Sequence, residues 1–236
     1  ILATFSNASI SNSYSQNILN ENLLEYSNTF GDHSLNVLGG FTYQNELNEW
    51  NSLQNSRFVS DATYVDAIEQ GAQPGGPGVD SGESEWTLLS WLGRVNYTLN
   101  DKYLFTGTIR ADGSSKFGKG NKWGVFPSGA VAWRISEEPF IESRLPSISN
   151  LKLRVSFGLS GNQSIGTYSS LASLSTTPYF FGNGPEIVGM IPGSVPNPDL
   201  AWEESQQWDI GLDLGLWNEK LQFTADVYRK ETTGLI

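Results

Sequence analysis

Cysteine is absent from the 236-residue chain, and histidine and methionine occur once each. Without thiols there is no disulfide framework, no thiolate metal site and no cysteine nucleophile. Basic residues are scarce as well: 14 Lys and Arg stand against 25 Asp and Glu, for a formal net charge of -11. So acidic a chain repels phosphate backbones, and nucleic acid is not an expected partner. No run of about 18 apolar residues occurs, so no transmembrane helix is expected. The sole histidine, His33, follows the turn-like Gly31-Asp32 beside Ser34. No nucleophile and base converge around it, and no enzymatic chemistry is expected. Neither a signal peptide nor an initiator Met is present, and patterned sequence runs to the C-terminal end. The chain reads as a piece of something longer.

What the sequence has is alternation. In KYLFTGTIRADGSSKFG (Lys102–Gly118), Tyr103, Phe105, Gly107, Ile109 and Ala111 occupy one side, and Leu104, Thr106, Thr108, Arg110 and Asp112 the other. A strand with this period has different surroundings on its two faces. The same pattern recurs around residues 23–30, 35–43, 89–97, 125–134, 151–157, 208–214 and 221–228, predicting eight strands. Short turns fall at Gly31-Asp32, Asn100-Asp101 and Asn218-Glu219, with a medium connection at 136–150. Long loops are expected at about 45–86, 112–122 and 161–200. In an antiparallel array this gathers the short turns at one end and the long loops at the other.

A soluble β-sandwich alternates too, so further features must decide. Charge is segregated: Arg94, Arg110, Arg134, Lys152, Arg154, Asp209, Asp213 and Asp226 all share the polar side. Arg or Lys against lipid costs about 2–4 kcal/mol near the bilayer centre, so a barrel must sort its charges this way. Arg229 is the first breach, at the far end of the last strand, where it can reach water. Phe30, Tyr97, Tyr103, Trp133 and Trp217 cluster near the shorter turns, as an interfacial girdle would. Ten residues at about 3.3 Å each, tilted about 40°, span roughly 25 Å, the height of an outer-membrane apolar band. The expected fold is all-β, an antiparallel transmembrane β-barrel section of about eight strands from a larger barrel. A passive outer-membrane porin and a soluble β-sheet glycan-binding or adhesion protein remain as alternatives.

Ser90–Ile141, Leu151–Ser170, Val195–Ile236 and the hairpin Glu25–Gln44 resemble the SusC/RagA branch of TonB-dependent outer-membrane transporters. The resemblance implies one barrel domain across residues 1–236, within a barrel of about 22 strands. It also implies a location in the outer membrane and import of a glycan or peptide driven through TonB. This segment would supply barrel wall and extracellular loops, in contact with the lipid bilayer. A SusD-like surface lipoprotein would cap the barrel. The plug and the TonB-contacting segment of such proteins have no counterpart in these residues.

Two sets of residues are candidates for substrate binding. Arg110 and Asp112, in the RADGSS run, either meet ligand or form an ion pair where strand becomes loop, with Gly113 easing the bend. Tyr179, Phe180 and Phe181 in PYFFGNG could stack on sugars, grip a peptide, meet a partner protein or pack loops together. Trp123 and Trp202 read as strand-end anchors. The acidic stretch with Glu46, Glu49, Asp61, Asp66, Glu69, Asp80, Glu83 and Glu85 suits a loop calcium site by charge. It lacks the spacing of a calcium loop, and a solvated acidic loop is expected instead, with no cofactor.

Overall fold

A computed structural model of the chain describes residues 6–60, 64–182, 184 and 186–234. Ten strands form: β1 (Asn7–Phe30), β2 (His33–Ser56), β3 (Gly78–Leu99), β4 (Tyr103–Ser114), β5 (Trp123–Arg134), β6 (Ile148–Asn162), β7 (Leu174–Phe180), β8 (Glu186–Pro192), β9 (Glu203–Leu216) and β10 (Leu221–Thr233). One antiparallel sheet runs β1-β2-β3-β4-β5-β6-β9-β10 and does not close on itself. It contains the eight expected strands. β7 and β8 form a separate hairpin inside the stretch read from sequence as the 161–200 loop.

The largest departure from the sequence reading lies at 45–86. β2 continues to Ser56 and β3 begins at Gly78, so the connection is only 57–77. These outer strand segments are Asn-, Ser- and Glu-rich on both faces, so they carry no apolar alternation, and backbone pairing with polar side-chain bonds keeps them extended. Likewise β4 ends at Ser114, which shortens the next loop to 115–122.

By contact density the described residues of 1–19 and 44–87 form one unit, and those of 20–43 and 88–236 another. Polar side chains knit the first. Asn12 donates to Asn51 Oδ1 at 3.2 Å, and Asn45 to Glu85 Oε1 at 2.8 Å. Asn55, only 2% exposed, is the keystone of the connection: its amide donates to the carbonyls of Ile68 (2.8 Å) and Gly71 (3.1 Å) and accepts from Ser56 N (2.9 Å). Asn55→Ala takes a partner from the Gly71 carbonyl and the Ser56 amide, and leaves the Ile68 carbonyl with only the 3.4 Å bond from Gly71 N. It should destabilise the connection by about 1–3 kcal/mol, read as faster backbone hydrogen exchange at 64–71 with exchange in β4–β6 unchanged. Glu46 and Glu85 accept from asparagines, and among the described residues no three acidic or histidine side chains converge to hold a metal. Asp61 lies outside the described residues.

In the second unit the register fixes the faces. Directly opposed residues share a side, so Tyr97, Phe105, Val131, Val155, Ile210 and Val227 form one row across six strands. The next row toward the long loops is Val95, Gly107, Gly129, Phe157, Trp208 and Arg229. On the other face, Asn96, Thr106, Ala130, Ser156, Asp209 and Tyr228 line up. Among the described residues no layer covers the apolar side: Trp91, Val131 and Leu212 are 56%, 48% and 37% exposed. Soluble monomers rarely leave so broad an apolar surface open.

Turn chemistry sets the short-turn end. Asn100 and Asp101 both take left-handed backbone (φ 53° and 54°), the central pair of a primed turn that Lys102 N closes by donating to the Leu99 carbonyl at 3.0 Å. Tyr103 and Trp133 stack with centroids 6.4 Å apart, and both donate to Glu138, at 2.7 and 3.1 Å, with Lys102 Nζ at 3.5 Å. His33 joins the same belt. It stacks on Phe30 and its Nδ1 lies 2.7 Å from the Tyr97 hydroxyl. The hydrogen bonds from Tyr103 and then Trp133, aided by Lys102, hold the Glu138 carboxyl below its usual pKa. A lowered carboxyl pKa adds stability that is complete above the ordinary glutamate value of about 4.3 and is lost as pH falls through the lowered one. Trp133 fluorescence should therefore change in acid below about pH 4, and Glu138→Gln should abolish that step.

Candidate functional site

At the long-loop end the polar face stops being simply polar. Phe126 sits on the side of Ser128 and Ala130, opposite in parity to Val125 and Val131. Phe117, from the 115–122 loop, is 1% exposed, and Trp202, just before β9, is 8% exposed. The Trp202 ring lies 4.8 Å from Phe117 and 5.4 Å, edge-on, from Phe126, with Leu88, Leu159, Ile165 and Leu200 packed around them. Its indole N–H donates to the Lys122 carbonyl at 3.0 Å. Gly118 lets the loops meet, since a Cβ there would strike the Pro198 carbonyl. One aromatic cluster thus ties the 115–122 loop to the end of the 163–202 connection.

Beside the cluster, Arg110 and Asp112 project from alternate positions of β4 onto the same face. Arg110 Nε lies 2.8 Å from both carboxylate oxygens, and its Nη2 donates to Ser90 Oγ at 3.1 Å. Asp112 and Ser90 are buried. Gly113 lies opposite Trp123, whose indole occupies the space that a Cβ there would need. Trp123, the first residue of β5, covers a strand glycine, and Trp202, immediately before β9, anchors that strand end in the aromatic cluster, as the sequence suggests.

Leu92, Arg94, Thr108, Arg110, Phe126 and Trp202 are among the residues around a depression of about 440 Å³ on this face. Toward the short turns lies an ion network. Arg154 donates to Asp213 (2.9 and 3.1 Å) and Asp226 (2.9 Å), and Lys152 is 3.8 Å from Asp213. Tyr179, Phe180 and Phe181 stand apart on the β7–β8 hairpin. Tyr179 meets Phe181 edge-on at 4.7 Å, while Phe180 shares its face with Val188 and Met190, and all are exposed. The structure thus pairs Arg110 with Asp112 and places the aromatic trio elsewhere. Sequence reasoning missed Phe117, Phe126, Leu88 and Leu92; apolar residues on the polar parity of β3 and β5 were the available signal.

A family model described as "TonB dependent receptor-like, beta-barrel" matches residues 2–236. TonB-dependent receptor P3 of Formosa agariphila is 39% identical over 220 residues, covering 93% of this chain and 22% of that protein. TonB-dependent receptor SusC of Bacteroides thetaiotaomicron is 39% identical over 153 residues, 64% of this chain and 15% of that one. The solved RagAB peptide transporter superposes with a TM-score of 0.79 at 26% identity, over 96% of this chain and 24% of its counterpart. The chain therefore covers between 15% and 24% of the length of these relatives.

Proposed function

The chain belongs to the TonB-dependent receptor-like β-barrel family, and from that premise we propose that it forms wall and outward loops of a nutrient importer in the outer membrane. The observation that carries this is the two-sided sheet. One face stays apolar and open from the Tyr103–Trp133 belt up to Arg229 and Glu231, while charge is kept to the other. The apolar face meets lipid and the polar face lines an enclosed lumen. The chain is one section of a larger barrel domain.

Cargo, a glycan or a peptide, is captured at the long-loop end, with Arg110, Asp112 and the exposed Tyr179, Phe180 and Phe181 as its candidate contacts. A SusD-like lipoprotein closes over the loops. Energy comes through TonB acting on another part of the receptor, and the wall itself makes and breaks no bonds.

The test is uptake of labelled oligosaccharides and oligopeptides by cells with and without the full-length gene, in TonB-competent and TonB-deficient backgrounds. Uptake that needs both the gene and TonB supports the proposal. Uptake that needs the gene but survives loss of TonB makes the protein a passive porin. Uptake indifferent to the gene refutes import.

A further inference from the structure

Four arginines occupy the lumenal face of β3–β6. Arg110, Arg134 and Arg154 each pair with a carboxylate. Arg94 has none among the described residues. Its Nε donates to Thr108 Oγ1 at 3.3 Å, and toward β10 its row carries no opposite charge, running through Thr108, Ser128, Gly158 and Gln207 to Lys230. Asp112, the carboxylate lining the same depression, is held by Arg110. The depression therefore carries a net positive charge that nothing within it neutralises.

Its other surfaces sharpen the chemistry. Leu88, Leu92, Phe126 and Trp202 give it an apolar side, and Ser128 and Ser160 supply hydroxyls. A wall residue meant only for solvation needs no such setting. A guanidinium beside apolar and aromatic surface, with its Nη atoms unspent, matches a planar oxyanion in two parallel hydrogen bonds, and the displaced water strengthens the attraction. Sites that fix a small ligand combine these parts: mostly apolar walls with a few convergent polar groups.

We infer that this depression is a ligand subsite for a carboxylate adjoining an apolar or ring moiety, with Arg94 as its anchor. The inference rests on the import reading and narrows the cargo to acid-bearing molecules. A peptide carboxylate and a uronic acid sugar share this chemistry.

The full-length receptor in detergent, studied by titration calorimetry, separates the two sources. One probe pair is N-acetyl-trileucine with a free or an amidated C-terminus; the other is trigalacturonate and its methyl ester. In one pair the acid form should bind about tenfold more tightly than the neutral form. Arg94→Gln should remove that preference, with the acid form losing more affinity than the neutral form, and Arg94→Lys should retain part of it, since it keeps the charge and loses the fork. Should Arg94→Gln fail to fold, a partial loss in Arg94→Lys carries the test. The inference falls if neither pair shows an acid preference, including if nothing binds, or if the preference survives in the variants. It falls equally if Arg94→Gln lowers the unfolding temperature of a receptor that takes no probe, because Arg94 would then hold another part of the polypeptide. None of these results bears on whether the gene and TonB are needed for uptake, so the two readings fail separately.

Discussion

Val155→Arg should sharply reduce folding of the full-length receptor into lipid vesicles, whereas Ser156→Arg, one residue along, should leave it near wild type. Val155 stands in the middle of the apolar row between Val131 and Ile210. A guanidinium there faces hydrocarbon and costs about 2–4 kcal/mol, a factor of at least roughly 30 in the folding equilibrium. Ser156 points the other way, opposite Ala130 and Asp209. The same substitution there gains a carboxylate neighbour and small residues to lie against. Denaturant titration of folding into bilayers measures both. Equal penalties, or the reverse order, would mean that hydrocarbon does not touch the apolar face, and the barrel reading would fail with it. Intrinsic strand propensity spans only about 1 kcal/mol, too little to produce an asymmetry of that size.

Adjacent residues also explain why so much of the sheet was legible in the sequence. Where a strand separates two solvents, side chains must alternate, and β4, β5, β9 and β10 announce themselves and their facing directly. Where both sides are wet, as in 45–56 and 78–86, alternation carries no free energy, so a paired strand reads as an acidic loop. The Arg110–Asp112 ion pair was foreseeable because residues two apart on a strand share a face. Its neighbours were not. Phe117, Phe126 and Trp202 meet only when the 163–202 connection folds back on β5, and a contact across roughly 80 positions leaves no local period. Their single local trace is Phe126 on the polar parity. Gly113 shows the same limit: beside Asp112 it resembles a hinge, yet its role is set by Trp123 on the neighbouring strand.

Trp202→Ala should release the outward loops while leaving the membrane-spanning sheet intact. The indole is nearly enclosed by Phe117, Phe126 and Leu200, and its N–H is bonded to the Lys122 carbonyl. Removing a buried tryptophan side chain typically costs about 3–5 kcal/mol. That loss falls on the docking of two loops rather than on the strands, whose ladders do not include Trp202. Trypsin should then cut faster at Lys116, Lys119 and Lys122, and the β7–β8 hairpin should exchange its amides sooner. Heat-resistant migration of the barrel on gels should not change. Trp202→Phe separates the two contributions, because it keeps most of the ring and gives up only the hydrogen bond, worth about 1 kcal/mol. Trp123→Ala is the control for losing an indole as such: that ring is half exposed over Gly113, and its removal should barely alter cleavage. If Trp202→Ala leaves loop cleavage at the wild-type rate, the aromatic cluster does not hold the loops. The depression beside it would then lack the rigid wall that recognition of a small anionic ligand requires.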